Sequence, residues 1–412
     1  MIPIADIQRD ILDGLSLLPV TRIGLREARG LVLAEDVAAP GDIPPFANSA
    51  MDGFAVIAAD VADVPVELAV TSVIAAGGLP DGEVTPGTAI KIMTGAPMPA
   101  GADTVVKVED TEELSGGRVR IVNSAPLGTA IRDAGSDVSE GTVVMRAGTR
   151  LDSPQLGLLA TVGEAWPQVR KRPVVGLFST GDELVPHETA ALKPGFIRDS
   201  NRLTMRALIE EAGGLLIDYG IVPDREEVLR SVLGHAAHAC DLVLTSGGVS
   251  MGDFDIVKSV LIDIGGVNFV KVAMQPGKPL GFGHLGDTPF FGLPGNPVSV
   301  FVSFLQFVRP AMHAMMGADY IYQPVVKAVM RSDRSTAKDK TVFLRGFARQ
   351  GNGELTVEIS GGQQSHMMMA LSDANCLISV PVGVGDVQQG DEVEVIMFGS
   401  RETRTRKEVL GG

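Results

Sequence analysis

Cysteine is nearly absent from this 412-residue chain; Cys240 and Cys376 are the only two. They show no metal-ligand spacing and cannot form a disulfide framework, so a reducing compartment, the cytoplasm, is expected. Aromatic residues make up 5% of the chain and Trp166 is the sole tryptophan. With 45% apolar residues, the cores must therefore be built from Val, Leu, Ile and Ala. Positive charge is in deficit: 35 Lys and Arg stand against 50 Asp and Glu, a net charge of −15. That balance argues against a nucleic-acid partner, yet leaves room for a local basic cluster around an anionic ligand. Residues Met1 to Asp10 lack the basic head and apolar core of a secretion signal. No apolar run is read as long enough to cross a membrane. The length points to several domains.

The pattern of the chain changes three times. Ile4 to Leu18 has apolar residues on one helical face. From residue 55 to 145, short Val/Ile/Thr runs recur between Gly/Pro turns, the signature of a β domain. Three polar clusters sit in turns in or just before it: Asn48-Ser49 with Asp52 in the stretch Pro40 to Phe54, Thr94 in Ile92-Met-Thr-Gly-Ala-Pro97, and Asp133 with Asp137 around Gly135. Each, taken alone, also fits ordinary turn chemistry. From Val174 strands alternate with helices, which predicts a parallel sheet with helices on both faces. Pro297 to Met316 reads as one long helix. Beyond Tyr320 the pattern is β again and predicts a small barrel or sandwich.

Within the alternating region the most informative stretch runs from Asp241 to Asp255. The apolar strand Leu242-Val243-Leu244 ends in Thr245-Ser246-Gly247-Gly248, and a helical pattern begins after Asp255. Glycines let the backbone approach a ligand closely, and a helix N-terminus beside them suits a phosphate. Carboxylates next to such a turn suit a divalent metal that bridges phosphate oxygens. An Asp-capped strand-to-helix turn is the plainer alternative. In sheets of this kind ligands lie beyond the carboxyl ends of the strands. Thr180 to Glu183, Asp224, Thr245 to Asp255 and Gln275 to Pro279 each follow a strand, so they form the candidate site. Lys271 and Lys278 add positive charge. Gly292-Leu-Pro-Gly-Asn-Pro297 is a second rigid loop, and Arg345 and Ser365 are the candidates from the C-terminal region.

Six motifs occur in order: Pro45-Phe-Ala-Asn-Ser-Ala-Met-Asp-Gly-Phe54, Ile92-Met-Thr-Gly-Ala-Pro97, Ser179-Thr-Gly-Asp-Glu-Leu184, Thr245-Ser-Gly-Gly-Val-Ser250, Pro276-Gly-Lys-Pro279 and Gly292-Leu-Pro-Gly-Asn-Pro297. Together they resemble the MoeA family of molybdopterin molybdenumtransferases, whose relatives include the E domain of gephyrin. The resemblance implies an α/β and β multidomain fold. Its expected parts are an N-terminal linker-like domain (1–39 and 142–170), an inserted β domain (40–141), a molybdopterin-binding α/β domain (171–318) and a C-terminal β-barrel (319–412). It also implies a homodimer with a site shared between subunits, and a Mg²⁺-dependent reaction of adenylylated molybdopterin with molybdate that releases AMP.

By motif match, Asp52, Thr94 and Asp137 would be catalytic residues of the inserted domain. Glu183, Asp224 and Asp255 would be catalytic carboxylates of the α/β domain that hold the metal. Ser246, Gly247, Gly248, Lys271, Gln275, Lys278, Pro294, Pro297, Arg345 and Ser365 would contact substrate. Gln275 departs from the lysine common in the family, which removes a charge beside the oxyanion but keeps a hydrogen-bonding group. Two other readings are a gephyrin-like scaffold for a protein partner and an adenylyltransferase acting one step earlier. The second does not need the flanking β domains.

Overall fold

The computed structural model describes residues 1–248, 256–351 and 353–399. At its centre is a six-stranded sheet in the order Leu215–Val222, Val174–Thr180, Leu242–Ser246, Thr288–Leu293, Pro279–Leu285, Val267–Lys271. The first four strands are parallel, Pro279–Leu285 runs antiparallel to both its neighbours, and Val267–Lys271 runs in the direction of the first four. The expected parallel sheet is thus present, with one antiparallel strand near its edge. The sequence reading missed the strand Pro279–Leu285, because Gly281, Gly283 and His284 interrupt its β pattern.

Alternation along the central strands sets the two faces. Val175, Leu177, Leu242, Leu244, Phe291 and Leu293 point into one core, with Met205, Leu208 and Ile209 of the helix Asn201–Glu211. Phe178, Val243 and Phe290 point into the other. That face is covered by Leu229 and Leu233 of Glu226–Ala239 and by Val257 and Leu261 of Ile256–Ile264. At one edge Asp241 ties neighbouring strands together, its Oδ2 accepting the Val174 N–H at 2.8 Å.

The first core extends beyond the sheet. The helix Ile4–Asp13 contributes Ile7 and Ile11, and the C-terminal region contributes Phe343, Leu371 and Leu377. The long helix over 297–315 runs through this core and contributes Val298, Val300, Phe301, Phe304, Phe307 and Met312, among others. Its apolar character and length meet the requirement of a membrane span, contrary to the sequence reading, but 83% of the apolar window is buried inside the fold. It is α-helical over Pro297–Ser303 and Arg309–Met315, with a π-helical segment, Phe304–Val308, between them.

The C-terminal strands Thr341–Gly351, Glu354–Ile359, Val325–Met330, Glu392–Met397 and Cys376–Val380 close into a five-stranded barrel. The short strand Met274–Gln275 adds to it alongside Thr341 and Val342. The inserted domain is a separate six-stranded sheet, built from strands between Gly53 and Ile121, with its own cores on its two faces. Between it and the α/β domain lies a small core of Leu31, Leu33, Val37, Met145, Leu151, Leu159 and Val169. The helix Ser153–Thr161 belongs to this part, and the sequence reading missed it.

Candidate functional site

Two neighbouring clefts open beyond the carboxyl ends of the parallel strands. The first, of about 810 Å³, is lined by Glu183, Asp224, Ser246, Gly247 and Gly248, among others. The second, of about 670 Å³, is lined by Gln275, Lys278, Arg334, Lys340 and Ser365, among others. Pro279, Pro294 and Asn296 line both, so they form a shared wall.

The first cleft is shaped by the turn after Leu242–Ser246. Gly247 and Gly248 take φ of +91° and +70°. A Cβ on Gly247 would meet the Thr180 carbonyl oxygen at 2.6 Å, and one on Gly248 would meet Val257 Cβ at 2.5 Å. The turn therefore requires glycine for both conformation and close approach. The Gly247 N–H is not aimed into the cleft; it donates to the Leu293 carbonyl at 3.1 Å. Asn201, the first residue of the helix Asn201–Glu211, is part of the wall. Its Nδ2 donates to Ser246 Oγ at 2.8 Å and to the Gly295 carbonyl at 2.7 Å. Among the described residues its buried Oδ1 has no partner, which leaves an acceptor for a ligand donor.

Glu183 and Asp224 line this cleft together, as expected from their places after strands. Asp255 lies outside the described residues. Among the described residues no three His, Cys, Asp or Glu side chains form a metal-binding group. Two carboxylates facing one cleft still fit Mg²⁺, which is commonly held by one or two carboxylates plus substrate phosphates.

The second cleft is cationic. Lys278 was expected there; Lys340 and Arg334 were not. Lys340 reaches it from the residue before the strand Thr341–Gly351, its Nζ 3.5 Å from Asp339 Oδ1. Gln275 and Ser365 also line it, as expected. The Ser365 carbonyl accepts the Val298 N–H at 3.0 Å, which fastens this loop to the start of the long helix.

Arg345 was expected to contact the ligand, but it lies beneath the wall. It is 1% exposed and does not line either cleft. Its Nη2 donates to the carbonyls of Gly362 and Gln364 at 2.8 and 3.1 Å, and its N–H to Gln363 Oε1 at 2.8 Å. Burial, and then the like charge of Arg334, bring its pKa down to about 10, so it stays charged at neutral pH. Arg345 thus shapes the loop that presents Ser365. Lys271, an exposed residue at the end of an edge strand, does not line either cleft. Pro294 and Pro297 do form wall.

The three residues of the inserted domain are held elsewhere. Asp52 Oδ1 accepts both the N–H and the hydroxyl of Thr94, each at 2.7 Å. These bonds, the backbone one first, hold the exposed carboxyl below its ordinary pKa. A ribbon of Asn48–Ser49 against Ile131–Arg132 brings the Asp137 turn to the same part of the domain. None of the three lines either cleft.

Fold and clefts together define a multidomain α/β protein with a carboxylate-bearing pocket joined to a cationic one. Comparison with known proteins makes the assignment specific. Residues 2–163 match the model of the MoeA N-terminal region (domains I and II), residues 176–314 that of a probable molybdopterin binding domain, and residues 327–398 that of the MoeA C-terminal region (domain IV). The chain is 37% identical over 378 residues to a molybdopterin molybdenumtransferase of Haemophilus influenzae, covering 91% of this chain and 93% of that one. It is 39% identical to molybdopterin molybdenumtransferase 2 of Mycobacterium tuberculosis, over 92% and 94% of the two chains. Among solved structures, the molybdopterin biosynthesis moeA protein of Pyrococcus horikoshii superposes with a TM-score of 0.82 at 30% identity. That match covers 97% of this chain and all of that one. The chain belongs to the MoeA family.

Proposed function

We propose that this chain is a molybdopterin molybdenumtransferase: it inserts molybdate into adenylylated molybdopterin with release of AMP, in the cytoplasm, as a step of molybdenum cofactor biosynthesis. The observation that carries this reading is the shared wall of Pro279, Pro294 and Asn296 between the two clefts. A substrate bearing phosphates fits the side with Glu183 and Asp224, while a dianionic oxyanion fits the side with Lys278, Lys340 and Arg334. Holding the two substrates on either side of one wall brings them together, which is the entropic advantage of a shared site.

In this reading Glu183 and Asp224 hold Mg²⁺, and Asp255 is proposed as a further ligand. A Mg²⁺ held there would supply counter-charge to the substrate phosphates and Lewis-acid assistance to cleavage of the phosphoanhydride. Asn201 orients the substrate through its open Oδ1. Lys278, Lys340 and Arg334 balance the charge of molybdate, and Gln275 and Ser365 donate hydrogen bonds to its oxygens. Arg345 acts through the loop it supports.

We further propose a homodimer in which Asp52, Thr94 and Asp137 complete the cleft of the partner subunit. None of the three lines a cleft of its own chain and all three are exposed, which supports this. The test mixes purified protein with adenylylated molybdopterin, molybdate and Mg²⁺ and measures AMP. Molybdate-dependent AMP release above a protein-free control is expected, and its absence refutes the assignment. Mixing inactive Asp52→Ala with inactive Glu183→Ala should restore activity, since a hybrid dimer has one intact site. No recovery despite confirmed subunit exchange would mean that each chain builds its own site.

A further inference from the structure

Away from both clefts, three arginines and a histidine meet where the N-terminal domain joins the α/β domain. A Cβ on Gly30 would lie 3.9 Å from Arg150 Nη2 and 3.9 Å from Arg172 Nη1, so the two guanidiniums flank one point. Arg172 donates to the carbonyls of Gly213 and Arg29 at 3.2 and 2.7 Å. Arg309 comes from the last part of the long helix and donates to the Ile321 carbonyl at 3.2 Å. Among the described residues, Nε2 of His313, one turn further on and 2% exposed, has no partner, and neither has the buried Nε of Arg150.

Among the described residues none of the three arginines makes an ion pair. Burial first, and the like charge of Arg150 second, push the pKa of Arg172 down and that of Arg309 to about 10. Glu211 is the acid that acts against this on Arg309. Burial, then Arg309 and Arg150, bring His313 to about 3, so it is neutral. Arg150 is thus a like charge beside both Arg172 and Arg309, and in a chain of net charge −15 the three partly buried cations concentrate positive potential at one place.

We propose that Arg150, Arg172 and Arg309 form a binding site for a small tetrahedral oxyanion that ties the N-terminal domain to the long helix of the α/β domain. Guanidinium forks match oxyanion edges, and an anion there supplies the counter-charge that protein carbonyls only partly provide. Its effect is on the joint between domains, not on the reaction itself.

Inorganic phosphate is the probe. Calorimetric titration of wild type should show two kinds of binding event, one in the cationic cleft and one at the joint. Arg150→Met should weaken the joint event about tenfold or more and leave the other, whereas Lys278→Gln should do the reverse. Arg150→Met should also raise Tm in phosphate-free chloride buffer, because it relieves repulsion, and should lose the extra stabilisation that phosphate gives wild type at equal ionic strength. Arg172→Met, read in the same way, serves if the first variant does not fold. Coinciding phosphate titrations for wild type and variant would overturn the site, as would an equal loss of Tm in both buffers.

Discussion

The inserted β domain and the α/β domain both place carboxylates in turns at strand ends, yet only the second encloses them. Glu183 and Asp224 face a cleft whose wall is completed by the barrel, because barrel and sheet share one apolar core through Phe343, Leu371 and Leu377. Asp52 and Asp137 sit on a domain with private cores, joined to the rest through a small intermediate core. The difference separates two ways of building a site. One fixes its geometry by packing within a chain; the other presents finished chemistry on a surface and depends on what docks against it.

The sharpest way to break this comparison is to remove the inserted domain. Its ends are adjacent, since the Ala39 N–H donates to the Thr142 carbonyl at 2.9 Å. Replacing residues 41–140 by a short glycine turn should leave the remainder folded, with a cooperative thermal transition, while AMP release disappears. Loss of the folded core would show that the two regions are not independent. Next in size is Arg345→Met. It removes a buried charge that organises the loop of Ser365, and a loss of about 2–4 kcal/mol is expected by denaturant unfolding. Molybdate affinity should fall with it. A variant as stable as wild type would mean that the loop holds its shape unaided.

Gln275→Lys is a milder change. One more cation beside Lys278 and Lys340 should tighten molybdate binding by roughly 1–2 kcal/mol, or about five- to thirtyfold, and added salt should reduce the gain. Unchanged affinity by titration would place Gln275 in the turn alone. The smallest effect concerns Thr94→Val, which removes one of the two bonds that hold Asp52 ionised. The Asp52 pKa, followed by NMR, should rise towards its ordinary value of 3.8. The sign follows from linkage. A depressed carboxyl pKa stabilises the folded state above the unfolded-state value and ceases to do so as pH falls through the folded-state value. The wild-type contact therefore persists throughout the neutral range, and its weakening in the variant should appear only in acid. No change in pKa would mean that the Thr94 hydroxyl is incidental.

Much of the first cleft was legible because it obeys a local rule. Glu183, Asp224 and Ser246 to Gly248 each follow a parallel strand, and strand direction alone carries them to one edge of the sheet. Lys340 and Arg334 were not legible, since nothing in their own segment shows that the barrel turns towards Lys278. Arg345 misled for a related reason. In Thr341-Val-Phe-Leu-Arg-Gly-Phe347 the alternation does not say whether the arginine faces solvent, ligand or interior, and the interior wins because carbonyls of 362 and 364 lie there to receive it. The helix Ser153–Thr161 did carry a signal, Pro154 in its first turn, that the reading passed over. Asp52 and Thr94 were found as a polar cluster, but their mutual bonds depend on strands far apart in sequence.

The π-helical segment Phe304–Val308 acts as a phase setter for the rod that contains it. A π turn holds one residue more than an α turn, and one residue corresponds to about 100° of rotation. Ser299, upstream, lines the cationic cleft; Arg309 and His313, downstream, reach the joint with the N-terminal domain. Deleting one residue from the segment would leave the rod helical and almost the same length, yet would swing the downstream arginine and histidine about a quarter turn away from Arg150. The angular alignment of the two ends thus rests on one extra residue in the middle of the helix.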